Sequence, residues 1–164
     1  MISKITIASI IKKYYLGEIE QVKWEIKNKT LNIDFIAPSK IVIGNVSCNN
    51  FPIEDSSLAI YNTKKLSNLI NITSGELLFE IEKQEQILIK LLISDANYNL
   101  TGEINDDNIK IRYNSDMFKL ILYANKDAEE GKLQLSNEGL MKLNFKSGDI
   151  KSEYYMVPQE GGVY

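Results

Sequence analysis

The sequence predicts an α+β fold in which amphipathic helices lie on one face of antiparallel sheet. Three observations carry this expectation. Short strand-like runs outnumber helical stretches, and each helical stretch is followed by several of them. The segment "LAIYNTKKLSNLINITSGELLFEI", residues 58–81, writes a strand, a polar cap, an amphipathic helix and another strand, and "IKIRYNSDMFKLILYANKDAEEGKLQL", residues 109–135, repeats that order. The two segments also keep register, since Tyr61 to Tyr113 is a shift of 52 residues and Ile104 to Val157 one of 53.

A first unit spans residues 1–49. Ile7, Ile10, Ile11 and Tyr14 recur at helical spacing, with Lys12 and Lys13 read as lying on the opposite side. Its opening strand is reduced to a few residues around Ser3–Ile5, and "QVKWEI", "TLNIDFIA" and "KIVIGNVS" follow as strands, separated by "KNK" and "PS". A second unit, residues 50–105, opens with the strand "LAIY". Asn62 or Thr63 caps its helix, which is expected to bury Leu66, Leu69 and Ile70. The strands "ELLFEIE", "QILIKLLIS" and "YNLTGEI" come next, where Phe79 and Ile81 correspond to Trp24 and Ile26 of the first unit. The third unit, residues 106–158, starts with "NIKIRY". Its helix is capped by Asn114 or Ser115 and is expected to bury Phe118, Ile121 and Leu122. The strands "GKLQLS", "LMKLNFK" and "IKSEYYMV" close it, and residues 159–164 form a polar tail. The whole reads as three consecutive βαβββ units with helices packed on one face of curved antiparallel sheets.

Composition narrows the function. The 164 residues are 44% hydrophobic and 25% charged, the mixture of a globular protein with a sizeable core. Apolar runs stay well below the roughly 18 residues of a membrane span. The N-terminus lacks the order of a signal peptide because Lys12-Lys13 interrupts it, so a cytoplasmic, non-secreted protein is expected. Net charge is −3, and Arg112 is the only arginine. Positive charge is therefore carried by lysine, which makes loose phosphate contacts rather than bidentate base forks.

The inventory of reactive groups is thin. There is no histidine, which removes the commonest general base and most zinc and iron sites. Cys48 is the single cysteine, and no glycine-rich phosphate loop is present. Carboxylates gather at Asp106-Asp107 and at Asp127/Glu129/Glu130, open to reading as an acid–base or metal pair or, beside Asn and Gly turn signals, as solvated loops. A non-enzymatic protein with no cofactor is expected.

Two stretches resemble the DNA sliding clamps, the family of proliferating cell nuclear antigen and the processivity clamps of tailed phages. One runs from "LNIDFIAPSKIVIGNVSCNNFPIEDSSLAIYNTKKL" to "LLIS"; the other is the ending "LMKLNFKSGDIKSEYYMVPQEGG". Family subunits carry four or six βαβββ units and close twelve-unit rings, with helices lining the hole. Three units are counted here, so such a ring would be a homotetramer.

The resemblance implies a viral, DNA-clamp-like processivity factor that tracks duplex DNA without reading sequence. Its partners would be the phosphate backbone, a DNA polymerase and a clamp loader. It implies DNA contacts from Lys4, Lys12, Lys13, Lys64, Lys65, Lys119 and Lys126 on the helices' exposed sides. It also implies an outer-surface pocket for partner peptides at Lys40, Ile41, Ile43, Met156, Val157 and Pro158, of which Ile43 reads more readily as core. The alternative is an α+β interaction or structural module that self-associates through sheet edges and has no DNA function.

Overall fold

A computed structural model of the chain describes residues 2–72, 113–136 and 139–159. In chain order it contains α1 (Lys4–Tyr15), β1 (Val22–Lys27), β2 (Thr30–Ile36), β3 (Val42–Cys48), β4 (Ser56–Ile60) and α2 (Thr63–Ile72). After the interval come α3 (Ser115–Ala124), β5 (Glu130–Leu135), β6 (Met141–Ser147) and β7 (Ile150–Met156). The strands expected at "ELLFEIE", "QILIKLLIS" and "YNLTGEI", and "NIKIRY" up to Arg112, lie outside the described residues.

All seven strands join one antiparallel sheet in the order β4-β1-β2-β3-β7-β6-β5. The early and late parts of the chain meet at its centre, where β3 and β7 pair along their full length from Val42↔Met156 to Cys48↔Ile150. This joint is invisible to periodicity, because alternation shows which residues face inward but not which strand stands alongside.

Alternation sorts the two faces. Trp24, Ile26, Leu31, Ile33, Phe35, Val42, Val46, Cys48, Leu143, Phe145, Ile150, Tyr154 and Met156 are buried beneath the helices. The outer face carries cross-strand rows, among them Ile36–Ile43–Tyr155–Lys142 and Asp34–Asn45–Glu153–Asn144. Asn28 and Lys29, both at positive φ (52° and 58°), turn β1 into β2 as a two-residue hairpin loop of the primed kind that follows strand twist.

The helices begin where polar caps allow. Ser3 caps α1, its side chain accepting from the Thr6 amide, so Lys4 and Ile5 are already helical. The opening strand expected around Ser3–Ile5 is thereby corrected to an isolated bridge at Ile2. At α2 the cap is Asn62, whose Oδ1 accepts from the Lys65 amide at 2.7 Å, while the buried Thr63 hydroxyl donates to the Glu20 carbonyl at 3.0 Å. At α3 it is Asn114, accepting from the Asp116 and Met117 amides.

Two apolar stripes differ from expectation. The buried residues of α2 are Thr63 and Ile70, with Leu66 half-buried and Leu69 exposed, because α2 lies against α1 and buries a narrow stripe. In α3, Met117, Ile121 and Ala124 turn inward, Phe118 packs at the margin and Leu122 faces out.

The sheet centre depends on one glycine. Gly44 stands opposite Phe35 across β2–β3, and a Cβ there would lie 2.3 Å from Phe35 Cζ and 2.8 Å from the Glu153 carbonyl oxygen. The Phe35 ring fills the missing side chain's space and meets Tyr154 edge-on at 6.0 Å, which in turn meets Phe145 at 5.9 Å. Gly44→Ala should therefore cost about 1–3 kcal/mol through overpacking. Urea denaturation should show the loss, and Phe35→Leu in the same chain should recover part of it.

Candidate nucleic-acid interface

α1 occupies the middle of the helix layer, packed over β3 and β7 with α2 on one flank and α3 on the other. At about 100° per residue, Ile7, Ile10, Ile11 and Tyr14 form the stripe against the sheet and Lys12 projects away from it. Ser9 and Lys13, one turn apart, form a separate flank that faces the end of α3.

The structure therefore corrects Lys13. Expected on the exposed side, it is 1% exposed. Its Nζ donates to Asp127 Oδ1 at 2.5 Å and to the Ala124 carbonyl at 3.3 Å, while the Ser9 hydroxyl donates to Asp127 Oδ2. The backbone of the same residue is held as well, since the Tyr154 hydroxyl donates to the Lys13 carbonyl at 2.8 Å. Asn125, fully buried at the end of α3, donates to Tyr154 Oη and to the Ile121 carbonyl, both at 2.8 Å, and accepts from Ser152 Oγ at 2.6 Å. One continuous polar network thus ties α1, α3 and β7 beneath the helix layer.

Burial sets its electrostatics. Burial lowers the Lys13 pKa, against the opposing pull of Asp127. For Asp127 burial acts in the other sense, but Lys13 and the Ser9 hydrogen bond outweigh it and hold the carboxyl below its ordinary value. The difference follows exposure, because the Asp127 side chain keeps 21% of its surface in solvent. Burial also raises Tyr14 to about 12 and Cys48 to about 12, so neither a phenolate nor a thiolate is available near neutral pH.

The acidic cluster at 127–130 resolves into separate structural duties. Asp127 holds Lys13, Glu130 pairs with Lys146 at 2.7 Å, and Glu129 accepts from the Gly148 amide. Among the described residues no group of three ligating side chains could hold a metal, and no helix is long and apolar enough to cross a membrane. Asp106 and Asp107 lie outside the described residues.

The remaining expected lysines do sit on the helix layer. Lys12, Lys64, Lys65 and Lys119 are exposed, Lys4 reaches from α1 to the Asn71 carbonyl at 3.2 Å, and Lys126 lies over the Tyr123 ring at 5.1 Å. The three described helices hold six lysines, the buried Lys13 among them, and one acidic residue, Asp116, which pairs with Lys119 at 3.4 Å, within a chain whose net charge is −3. The opposite face of the sheet is mixed, with ion pairs Lys23–Glu25, Lys142–Glu153 and Lys146–Glu130 and with Lys27, Lys132 and Lys151 exposed beside them.

The expected partner residues divide between the two faces. Met156 is corrected to core, fully buried between Val42 and Met141. Ile43, read more readily as core, is corrected to the outer face, 54% exposed because its neighbours Val42 and Gly44 take the inward positions. Lys40 is exposed in the turn at φ 59°, Ile41 and Pro158 are half-buried, and Val157, 44% exposed, donates its amide to the Ile41 carbonyl at 3.2 Å. Sequence reasoning missed Ile36 and Tyr155, which stand on either side of Ile43 in the same outer row. The Tyr155 ring is covered by Lys142 Nζ at 5.0 Å, and its hydroxyl donates to Glu153 at 2.6 Å.

A layer of helices over one face of a continuous antiparallel sheet matches the fold of the DNA sliding clamps, and the chain has that fold. Three solved structures are similar to it over nearly their whole length. The Thermococcus kodakaraensis PCNA superposes with a TM-score of 0.69 at 11% identity, covering 97% of this chain and 98% of that one. The PCNA2–PCNA3 complex of Sulfolobus tokodaii gives 0.67 at 9% identity, with the same two coverages. The A. fulgidus PCNA, seen with the C-terminal region of FEN-1, gives 0.68 at 10% identity and covers 96% of both chains. Neither a protein-family model nor a curated protein sequence matches the chain.

Asp127→Ala should cost about 3–5 kcal/mol, because it strands the buried Lys13 charge. Lys13→Met together with Asp127→Ala should be less destabilising than Asp127→Ala alone, as chemical denaturation of the three proteins would show. The depressed Asp127 carboxyl contributes stability that is present above its ordinary value of 3.8 and is lost as pH falls through the lower folded value. Wild-type stability should therefore fall below about pH 4 more steeply than that of Asp127→Asn.

Proposed function

We propose that the chain is a sliding-clamp-like processivity factor that holds duplex DNA without reading its sequence and tethers replication proteins to it. The observation that carries this reading is the helix layer of an acidic chain: its three described helices hold Lys4, Lys12, Lys64, Lys65 and Lys119 outside the core against a single acidic residue, Asp116. Lys4, Lys12, Lys64, Lys65, Lys119 and Lys126 are the proposed phosphate contacts. Lysines without arginine suit sliding, since point charges meet successive phosphates without fixing register. Lys13 is left out because its charge is committed to Asp127.

The outer apolar residues Ile36, Ile43 and Tyr155 of one row, with Val157, Lys40, Ile41 and Pro158 beside it, are the proposed seat for a hydrophobic segment of a polymerase or loader. The resemblance to a PCNA seen with part of FEN-1 supports a partner role on this fold. We place the chain in a homo-oligomer. Since β3 and β7 already consume each other's edges inside one chain, association between chains would use other surfaces. The twelve-unit tetramer remains the arrangement that the unit boundaries 1–49, 50–105 and 106–158 favour.

The combined variant Lys12→Glu, Lys64→Glu, Lys65→Glu should abolish retention on circular duplex DNA while leaving the circular dichroism spectrum unchanged. Neutral substitutions should flatten the dependence of log K on log salt by about 0.9 for each phosphate no longer neutralised. Wild-type retention by the triple variant would overturn the reading. A stable monomer without effect on polymerase would favour the self-associating module. Ile43→Glu with Val157→Glu should keep DNA retention yet lose stimulation of a polymerase on primed DNA.

A further inference from the structure

Tyr123 is the most exposed aromatic of α3, at 62%, and it belongs to the lysine face rather than to the core. Met117, Ile121 and Ala124 point α3 toward the sheet, so Lys119 and Tyr123, four residues apart, share its opposite side, and Lys126 stands in the turn just past the helix. Lys126 Nζ sits 5.1 Å from the ring centroid, a cation–π contact that holds the ring in place while most of its surface stays in water. Loose phosphate contact by lysines on a duplex has no use for an aromatic plane. A flat ring flanked by two cations is what unpaired nucleotides require: cations for the backbone and a π-face for a base.

We infer that Lys119 and Tyr123 of α3, with Lys126 of the turn after it, form a stacking site for single-stranded nucleic acid, which would let the protein distinguish a duplex carrying an unpaired strand from a fully paired one. The inference rests on the proposed DNA-binding role of the helix layer. Tyr123 receives an unpaired base on its open face, and Lys119 and Lys126 take the phosphates to either side. In intact duplex the bases are stacked on one another, so Tyr123 adds nothing there and only the lysines act.

The test is fluorescence anisotropy with the full chain, using labelled oligothymidylate and a blunt duplex of equal length at matched salt. Tyr123→Ala should weaken oligothymidylate binding by about 5- to 150-fold, the range for loss of one stacked base, with duplex binding unchanged. Tyr123→Phe keeps the ring and should restore single-strand binding. If duplex binding depends on Lys12, Lys64 and Lys65 while Tyr123→Ala binds oligothymidylate like wild type, stacking is overturned and the broader DNA role stands. If the chain binds neither probe at low salt, both fall. Tyr123 is exposed, so an unchanged circular dichroism spectrum should accompany both substitutions.

Discussion

The ion pair between Lys13 and Asp127 is the constraint on which the arrangement of helices depends. It joins a residue of the first helix to one just past the last helix, and desolvating both groups is compensated only while they stay together with Ser9 and the Ala124 carbonyl. Its backbone side is fastened too, through Tyr154 and Asn125, so α1 cannot rotate without breaking several buried hydrogen bonds together. A buried ion pair contributes little net stability compared with an apolar filling. What it supplies here is a fixed orientation: Ser9 and Lys13 must face α3, which leaves Lys12 pointing away from the sheet.

That orientation separates the lysines into two kinds. Lys13 is structural, and the exposed lysines around it form the basic surface of an otherwise acidic protein. The division explains how a chain of net charge −3 presents a basic layer, since acidic residues are nearly absent from the helices and are spent elsewhere in pairs and turns. The outer face follows a different logic: charges of both signs stand side by side, some of them paired, and Ile36, Ile43 and Val157 are its apolar exceptions.

Much of the fold could be read in the sequence because strand alternation and cap residues are local signals. The strands flanking "KNK" and those of "LMKLNFK" and "IKSEYYMV" sit within a residue or two of expectation, and Asn62 and Asn114 cap as their chemistry requires. What escaped was set by distant partners. Lys12 and Lys13 are alike as letters, and only the position of α3 makes one exposed and the other buried. Ile43 and Met156 exchange expected roles for a similar reason, because facing in or out depends on strand phase and not on hydrophobicity. Leu69 and Leu122 are exposed because, among the described residues, α2 and α3 flank α1 and do not lie between two other helices.

The β3–β7 joint bears on how the protein comes to exist at all. Its paired residues are roughly a hundred positions apart, so the centre of the sheet can form only after nearly all of the described chain has been made. Until then β3 offers an open edge with Val42 and Val46 beside it, the kind of surface that recruits the wrong neighbour. Folding should therefore be slow for a protein of this size, and on the ribosome the newest strand is the one that completes the middle.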